Sequence, residues 1–184
     1  MLILAAPPVF AGVSASFLGN LSTDSFTQGT STTDTADSRQ WLGASLTATL
    51  DSKESFWVGW AFDQVGSVHS LGSATDTYSA QETGPIFTYL FGKGHVWNLS
   101  LAYNVLSNAT YSQTGQQDKT WTGTSYYAAF GPELELFKNV QFGARIIYYS
   151  ANYAKQTIGS AASGVSVSRS WVMPLITISY RHSE

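Results

Sequence analysis

The residues best placed for chemistry are seven ions scattered through an otherwise ion-poor chain: Arg39, Asp63, Glu82, Glu133, Glu135, Arg145 and Arg169. Each falls on the less apolar side of an alternating segment, so all seven should share one interior. Ions that leave water must pair to offset their desolvation. Four acids and three bases therefore read as a plug or gate built from ion pairs, with Glu133 and Arg145 the pair expected to meet. Two neighbouring carboxylates, Glu133 and Glu135, have the residue types of a general acid and base, but the structural plug is the preferred reading. The three His, at positions 69, 95 and 182, are too far apart in sequence for a ligand set. No metal and no cofactor are expected.

The elements that must position these ions are strands. Eight segments alternate with period 2: Val9–Leu21, Arg39–Leu50, Phe56–Val65, Tyr78–Phe91, His95–Val105, Trp121–Phe137, Val140–Tyr153 and Val165–Tyr180. Between them, polar connections at Ser22–Ser38, Gly66–Thr77, Leu106–Thr120 and Ala154–Gly164 alternate with tight turns near Asp51–Ser55, Gly92–Gly94 and Lys138–Asn139. Alternation marks a half-buried strand. Strands of about 9–11 residues are long enough to cross a bilayer at a tilt. No run of about 18 apolar residues offers a membrane helix.

Composition decides which face points out. Charged residues are 11% of the chain, nine basic and twelve acidic, against about 25% in an ordinary soluble domain. The less apolar faces are mostly Gly, Ser, Thr, Asn and Ala. A soluble, lipocalin-like barrel would need Lys, Glu and Asp on its outside. Small polar residues suit instead the crowded interior of a narrow barrel, with the large apolar face on lipid. Open sheet edges in hydrocarbon cost several kcal/mol per unpaired group, so eight strands must close. The fold class expected is all-β, an eight-stranded antiparallel up-and-down transmembrane β-barrel. Inward Trp57, Tyr127, Ile147, Tyr149, Trp171, Met173 and Leu175 fill space in such a lumen. Aromatics cluster toward the strand ends, as headgroup girdles do: Phe56, Phe91, Trp97, Phe142 and Tyr180 near the short turns, and Tyr103, Tyr126 and Tyr148 near the long connections. A net charge of −3 gives no basic face for nucleic acid, and the absence of Cys excludes disulfides and thiolate sites.

The chain is divided as an N-terminal apolar segment, residues 1–8, read as a signal remnant or an extension, then the barrel, residues 9–180, and a short polar tail, residues 181–184. Over the barrel the chain resembles the small eight-stranded outer-membrane proteins of Gram-negative bacteria, such as the transmembrane domain of outer membrane protein A, outer membrane protein X and outer membrane protein W. The resemblance is carried by the four long and three short connections and by the ending Leu175-Ile176-Thr177-Ile178-Ser179-Tyr180. It implies an outer-membrane location with short turns in the periplasm and long loops outside. It also implies a C-terminal signal, Ile176, Ile178 and Tyr180, read by the barrel-assembly machinery. Outer-membrane lipids and lipopolysaccharide are the expected surroundings, with the loops open to a protein partner. The role expected is structural and non-enzymatic. Two alternatives stay open: a small pore or conduit for hydrophobic molecules, and a lipid A-modifying enzyme using His69 with Ser67, Ser70 or Asp76.

Overall fold

The structure is a computed structural model that describes residues 12–27, 34–71 and 73–183. The expected apolar segment 1–8 lies outside the described residues. Eight antiparallel strands follow in order: β1 Gly12–Thr27, β2 Asp34–Thr49, β3 Phe56–Leu71, β4 Ala74–Phe91, β5 Trp97–Gln113, β6 Lys119–Phe137, β7 Val140–Ile158 and β8 Ala161–Ser183. Each pairs with its neighbours in sequence, and β1 closes onto β8.

The period-2 reading of inside and outside holds. Trp57, Ala61, Asp63 and Val65 of β3 are buried, while Phe56, Trp60 and Phe62 between them are exposed. The same alternation carries Leu101, Phe130, Leu134, Ile146, Val172 and Ile178 to the outer face. The interior is packed rather than hollow. Trp41, Tyr127 and Tyr149 meet edge to face at about 5.3–5.4 Å, and Tyr78, Trp171 and Tyr149 continue the stack. Such contacts add to plain area burial.

The long connections differ from expectation. Backbone pairing continues through most of them, reaching Thr27↔Asp34, Leu71↔Ala74, Tyr111↔Lys119 and Ile158↔Ala161. The described parts of the expected loops are thus mostly paired strand, and the turns at 114–118 and 159–160 are short. Polarity indicates water, not irregular backbone. Two strands leaving a barrel in register keep satisfying each other's N–H and C=O groups until a turn intervenes. Gly115 and Gly159, at φ of 78° and 58°, supply two of those turns. The tail also differs: Arg181 and His182 continue β8, opposite Ser14 and Val13.

At the other end the turns are tight. Asp51 Oδ1 accepts hydrogen bonds from the N–H groups of Ser55 and Phe56, both at 2.8 Å. The Phe56 N–H above all holds the Asp51 carboxyl below its ordinary value of 3.8, working against desolvation. A carboxyl depressed on folding stabilises the fold above its unfolded value, and that contribution is lost as pH falls through its folded value. Asp51 should therefore titrate below pH 3.8. Amide shifts of Ser55 and Phe56 followed by NMR check this, and a midpoint at or above the ordinary value would show the turn bonds to be absent.

Candidate functional site

The lumen cluster begins with a glycine. Glu133 of β6 stands opposite Gly143 of β7, where a Cβ would lie only 2.6 Å from Glu133 Cγ. The glycine leaves room for the carboxylate to turn inward and reach the diagonal neighbour Arg145, which donates from Nη2 to Oε1. Arg181 of β8 donates from Nη2 to Oε2. The remaining lone pairs are taken by Ser179 Oγ at 3.1 Å, Thr177 Oγ1 at 3.2 Å and Asn98 Nδ2 at 3.0 Å. Arg145 Nη1 donates in turn to Ser100 Oγ at 3.1 Å. Five strand-borne side chains thus converge on one buried carboxylate. The cavity beside Arg145, Ser100 and Arg181 is only about 10 Å³, room for about one water at most. Below the cluster, a 190 Å³ vestibule opens at the short-turn end between Glu54, His95, Asn139 and Gln141.

A second polar layer lies higher. Glu82 of β4 accepts from Ser107 Oγ at 2.5 Å and Tyr149 Oη at 2.6 Å on one oxygen, and from Ser125 Oγ at 2.6 Å and Asn104 Nδ2 at 3.2 Å on the other. Directly opposite on β3 stands Asp63, whose two buried oxygens have no hydrogen-bond partner among the described residues. Buried Asn104 Oδ1 is also unpartnered. Asp63→Asn keeps the shape, takes away a buried carboxyl that faces Glu82 and adds an amide donor for such an acceptor. It should raise refolding stability by about 1–3 kcal/mol, the cost of a buried polar group left unpaired. Urea titration in detergent measures this, and a loss of stability would mean that Asp63 has a cationic partner.

The seven expected ions therefore separate. Glu133 and Arg145 meet, and Asp63 faces Glu82. Arg169 lies near the far end over the rings of Tyr78, Tyr111 and Trp121, at 4.8, 5.4 and 5.8 Å. Arg39 is half-buried, lining a 270 Å³ cleft with Ser67, Tyr78 and Ser79. Glu135 departs from expectation. The register shift between Glu135 and Phe137 brings it to the β6–β7 turn, where it is exposed and accepts from the Asn139 N–H at 3.2 Å. Arg181 is the residue that sequence reading missed. Its signal was parity: Met173, Leu175, Thr177 and Ser179 all point inward on β8, and 181 is the next odd position.

The aromatic positions form outward clusters. Phe56 stacks on Tyr89 at 4.8 Å, Tyr89 on Phe91 at 5.3 Å and Trp97 on Phe130 at 5.4 Å. Phe142 and Tyr180 are exposed at the same end, as are Ile176 and Ile178 farther along β8. Toward the long hairpins, Tyr126 and Tyr148 lie 6.2 Å apart and Tyr103 is exposed. Of the His positions, His69 stands opposite Asp76, His95 Nε2 lies 3.5 Å from Ser55 Oγ, and His182 is exposed on β8. Among the described residues no three His, Asp or Glu gather in a way that would hold a metal.

Comparison with protein-family models and with curated proteins gives no match. Among solved structures, the barrel is similar to Neisserial surface protein A (NspA), with a TM-score of 0.48 at 14% identity over 95% of this chain and 97% of that one. It is also similar to the translocator domain of the autotransporter NalP from Neisseria meningitidis, with a TM-score of 0.46 at 13% identity over 91% of this chain and 60% of that one.

Proposed function

We propose that this chain is an integral outer-membrane barrel with a structural, non-enzymatic role and a sealed lumen. The observation that carries the reading is the arrangement around Glu133. A carboxylate bound by two guanidiniums and three neutral donors sits beside a cavity of about 10 Å³, under a layer of packed aromatic rings, inside a wall whose outer face is apolar. Such a layer leaves room for about one water at most, and its carboxylate is fully engaged by donors rather than open to act as acid or base. The apolar outer face needs hydrocarbon, and closure of the sheet is what makes a strand wall tolerable there.

In this reading the short turns face the periplasm and the hairpins beyond Tyr103, Tyr126 and Tyr148 stand outside the cell, open to lipopolysaccharide or a protein partner. Ile176, Ile178 and Tyr180 are the alternating edge read by the assembly machinery, and the two aromatic clusters sit at the headgroups. The experiment is single-channel recording of the refolded barrel in a planar bilayer. The wild-type barrel should give no steady conductance, and Glu133→Gln combined with Arg145→Met should open a small one. A steady wild-type channel would replace the plug with a pore.

A further inference from the structure

The barrel closes over only part of its height. β1 pairs with β8 from Gly12↔Ser183 to Gly19↔Ile176. Beyond that point β1 follows β2 to Thr27↔Asp34, and β8 follows β7 to Ile158↔Ala161. Among the described residues no further β1–β8 pair occurs, so the two edges part. A cleft of 710 Å³ opens where they do, within the range of about 300–1,000 Å³ that holds small ligands. Its floor is Trp41 and Leu175, both buried. Its sides are Leu42, Ala144, Pro174 and Ile176, of which Leu42 and Ile176 belong to the exposed apolar band. At its upper margin stand the amides of Asn20, Gln40 and Gln64.

Two observations point to an occupant. Free strand edges within hydrocarbon are costly, and here one edge carries Pro174, which has no N–H to leave unpaired. Asn20 Nδ2, buried in the cleft wall, has no acceptor among the described residues. The cleft therefore offers an apolar slot continuous with the lipid-facing surface and, at its polar end, a donor without an acceptor. None of its lining residues is charged, so nothing there would select a multiply charged headgroup.

We propose that the β1–β8 seam binds one zwitterionic glycerophospholipid. An acyl chain lies against Ala144, Pro174, Ile176 and Leu42, and an ester carbonyl oxygen accepts from Asn20 Nδ2. The lipid covers the open part of the seam, while Trp41 and Leu175 keep it out of the lumen. The proposal rests on the membrane reading above.

The test uses the whole chain refolded into phosphatidylcholine vesicles that contain a trace of phosphatidylethanolamine with a photoactivatable diazirine in one acyl chain. After irradiation, labelled positions are mapped by mass spectrometry. Labelling at Leu42, Ala144 and Ile176 should exceed that at Leu101 and Phe130, which are exposed on another part of the wall, by about tenfold, a preference of about 1.4 kcal/mol. Gly19→Leu should abolish the excess by filling the cleft. The fold has room for it, since a Cβ at Gly19 meets nothing nearer than the Trp41 carbonyl oxygen at 3.9 Å. Ala144→Trp fills the cleft from the other side and should do the same. Even labelling of an inserted barrel, or an excess that survives both substitutions, overturns the lipid site and leaves the membrane reading standing. A chain that does not insert, as judged by the absence of heat-modifiable gel mobility, overturns both.

Discussion

Glu133→Gln should cost about 3–5 kcal/mol of refolding stability, the usual consequence of breaking a buried ion pair from one side. Its removal leaves Arg145 and Arg181 facing each other without the carboxylate they share. Arg145→Met should cost less, because Arg181 still neutralises Glu133. In the double variant the loss should fall short of the sum of the single losses, since each partner's penalty is chiefly the other's unpaired charge. Urea titrations of refolding into detergent micelles supply the cycle. Costs of only about 0–1 kcal/mol, as for solvated pairs, would mean that water fills the layer and the seal does not exist. Arg181→Met completes the set. It too should couple to Glu133, although its side chain lies nearer the vestibule and is the more exposed of the two guanidiniums.

Leu101→Arg should cost about 2–4 kcal/mol in vesicles, the penalty for a cation near the middle of the lipid face of a barrel. Leu101 lies midway along the outward apolar run of β5, between Trp97 near the short turn and Val105, and both of its strand neighbours, Phe87 and Ala128, share its face. The adjacent Ser100→Arg fails for a different reason. Ser100 is buried against Thr88 at 3.0 Å and Asn98 at 2.8 Å and accepts from Arg145, so a second guanidinium would crowd the first. Transfer from detergent to lipid separates the two cases. The Leu101→Arg penalty should grow with bilayer thickness, whereas the Ser100→Arg penalty should not change. A Leu101→Arg barrel as stable as wild type in lipid would reverse the assignment of faces.

Much of this was legible because strand parity is a hard constraint. A one-residue slip would turn every side chain to the wrong face, so the alternation at Phe56–Phe62 and Trp97–Val105 settled which residues share a face, and the ion-poor composition settled which face points out. Parity also required Glu133 and Arg145 to share the lumen, but left two registers open, one placing them directly opposite and one diagonally. The structure takes the diagonal one, and the empty side chain of Gly143 makes room for it. Composition misled at Ser22–Ser38 and the other polar connections, because Ser and Thr pair as strands in water when a neighbour in register offers its backbone. It misled at Arg181 as well, where a charged ending looked like a tail.

Other features had no local signal. Trp41 of β2 meets Tyr127 and Tyr149, and Tyr78 of β4 meets Tyr153, across the lumen from strands distant in sequence, so their packing depends on closure. The β1–β8 seam is the extreme case. No turn joins those strands, and nothing between neighbouring residues sets how far Gly19 and Ile176 stay paired.

The most direct test of the central claim, that the apolar face belongs to lipid, is circular dichroism of the full chain diluted from urea into buffer alone and into buffer with lipid vesicles. Strand signal and heat-modifiable gel mobility should arise together, and only when vesicles are present. A soluble monomer in buffer with the same strand content as the vesicle-bound chain would contradict the account, because Leu42, Leu46, Phe62, Leu101 and Phe130 would then stand in water on a stable wall.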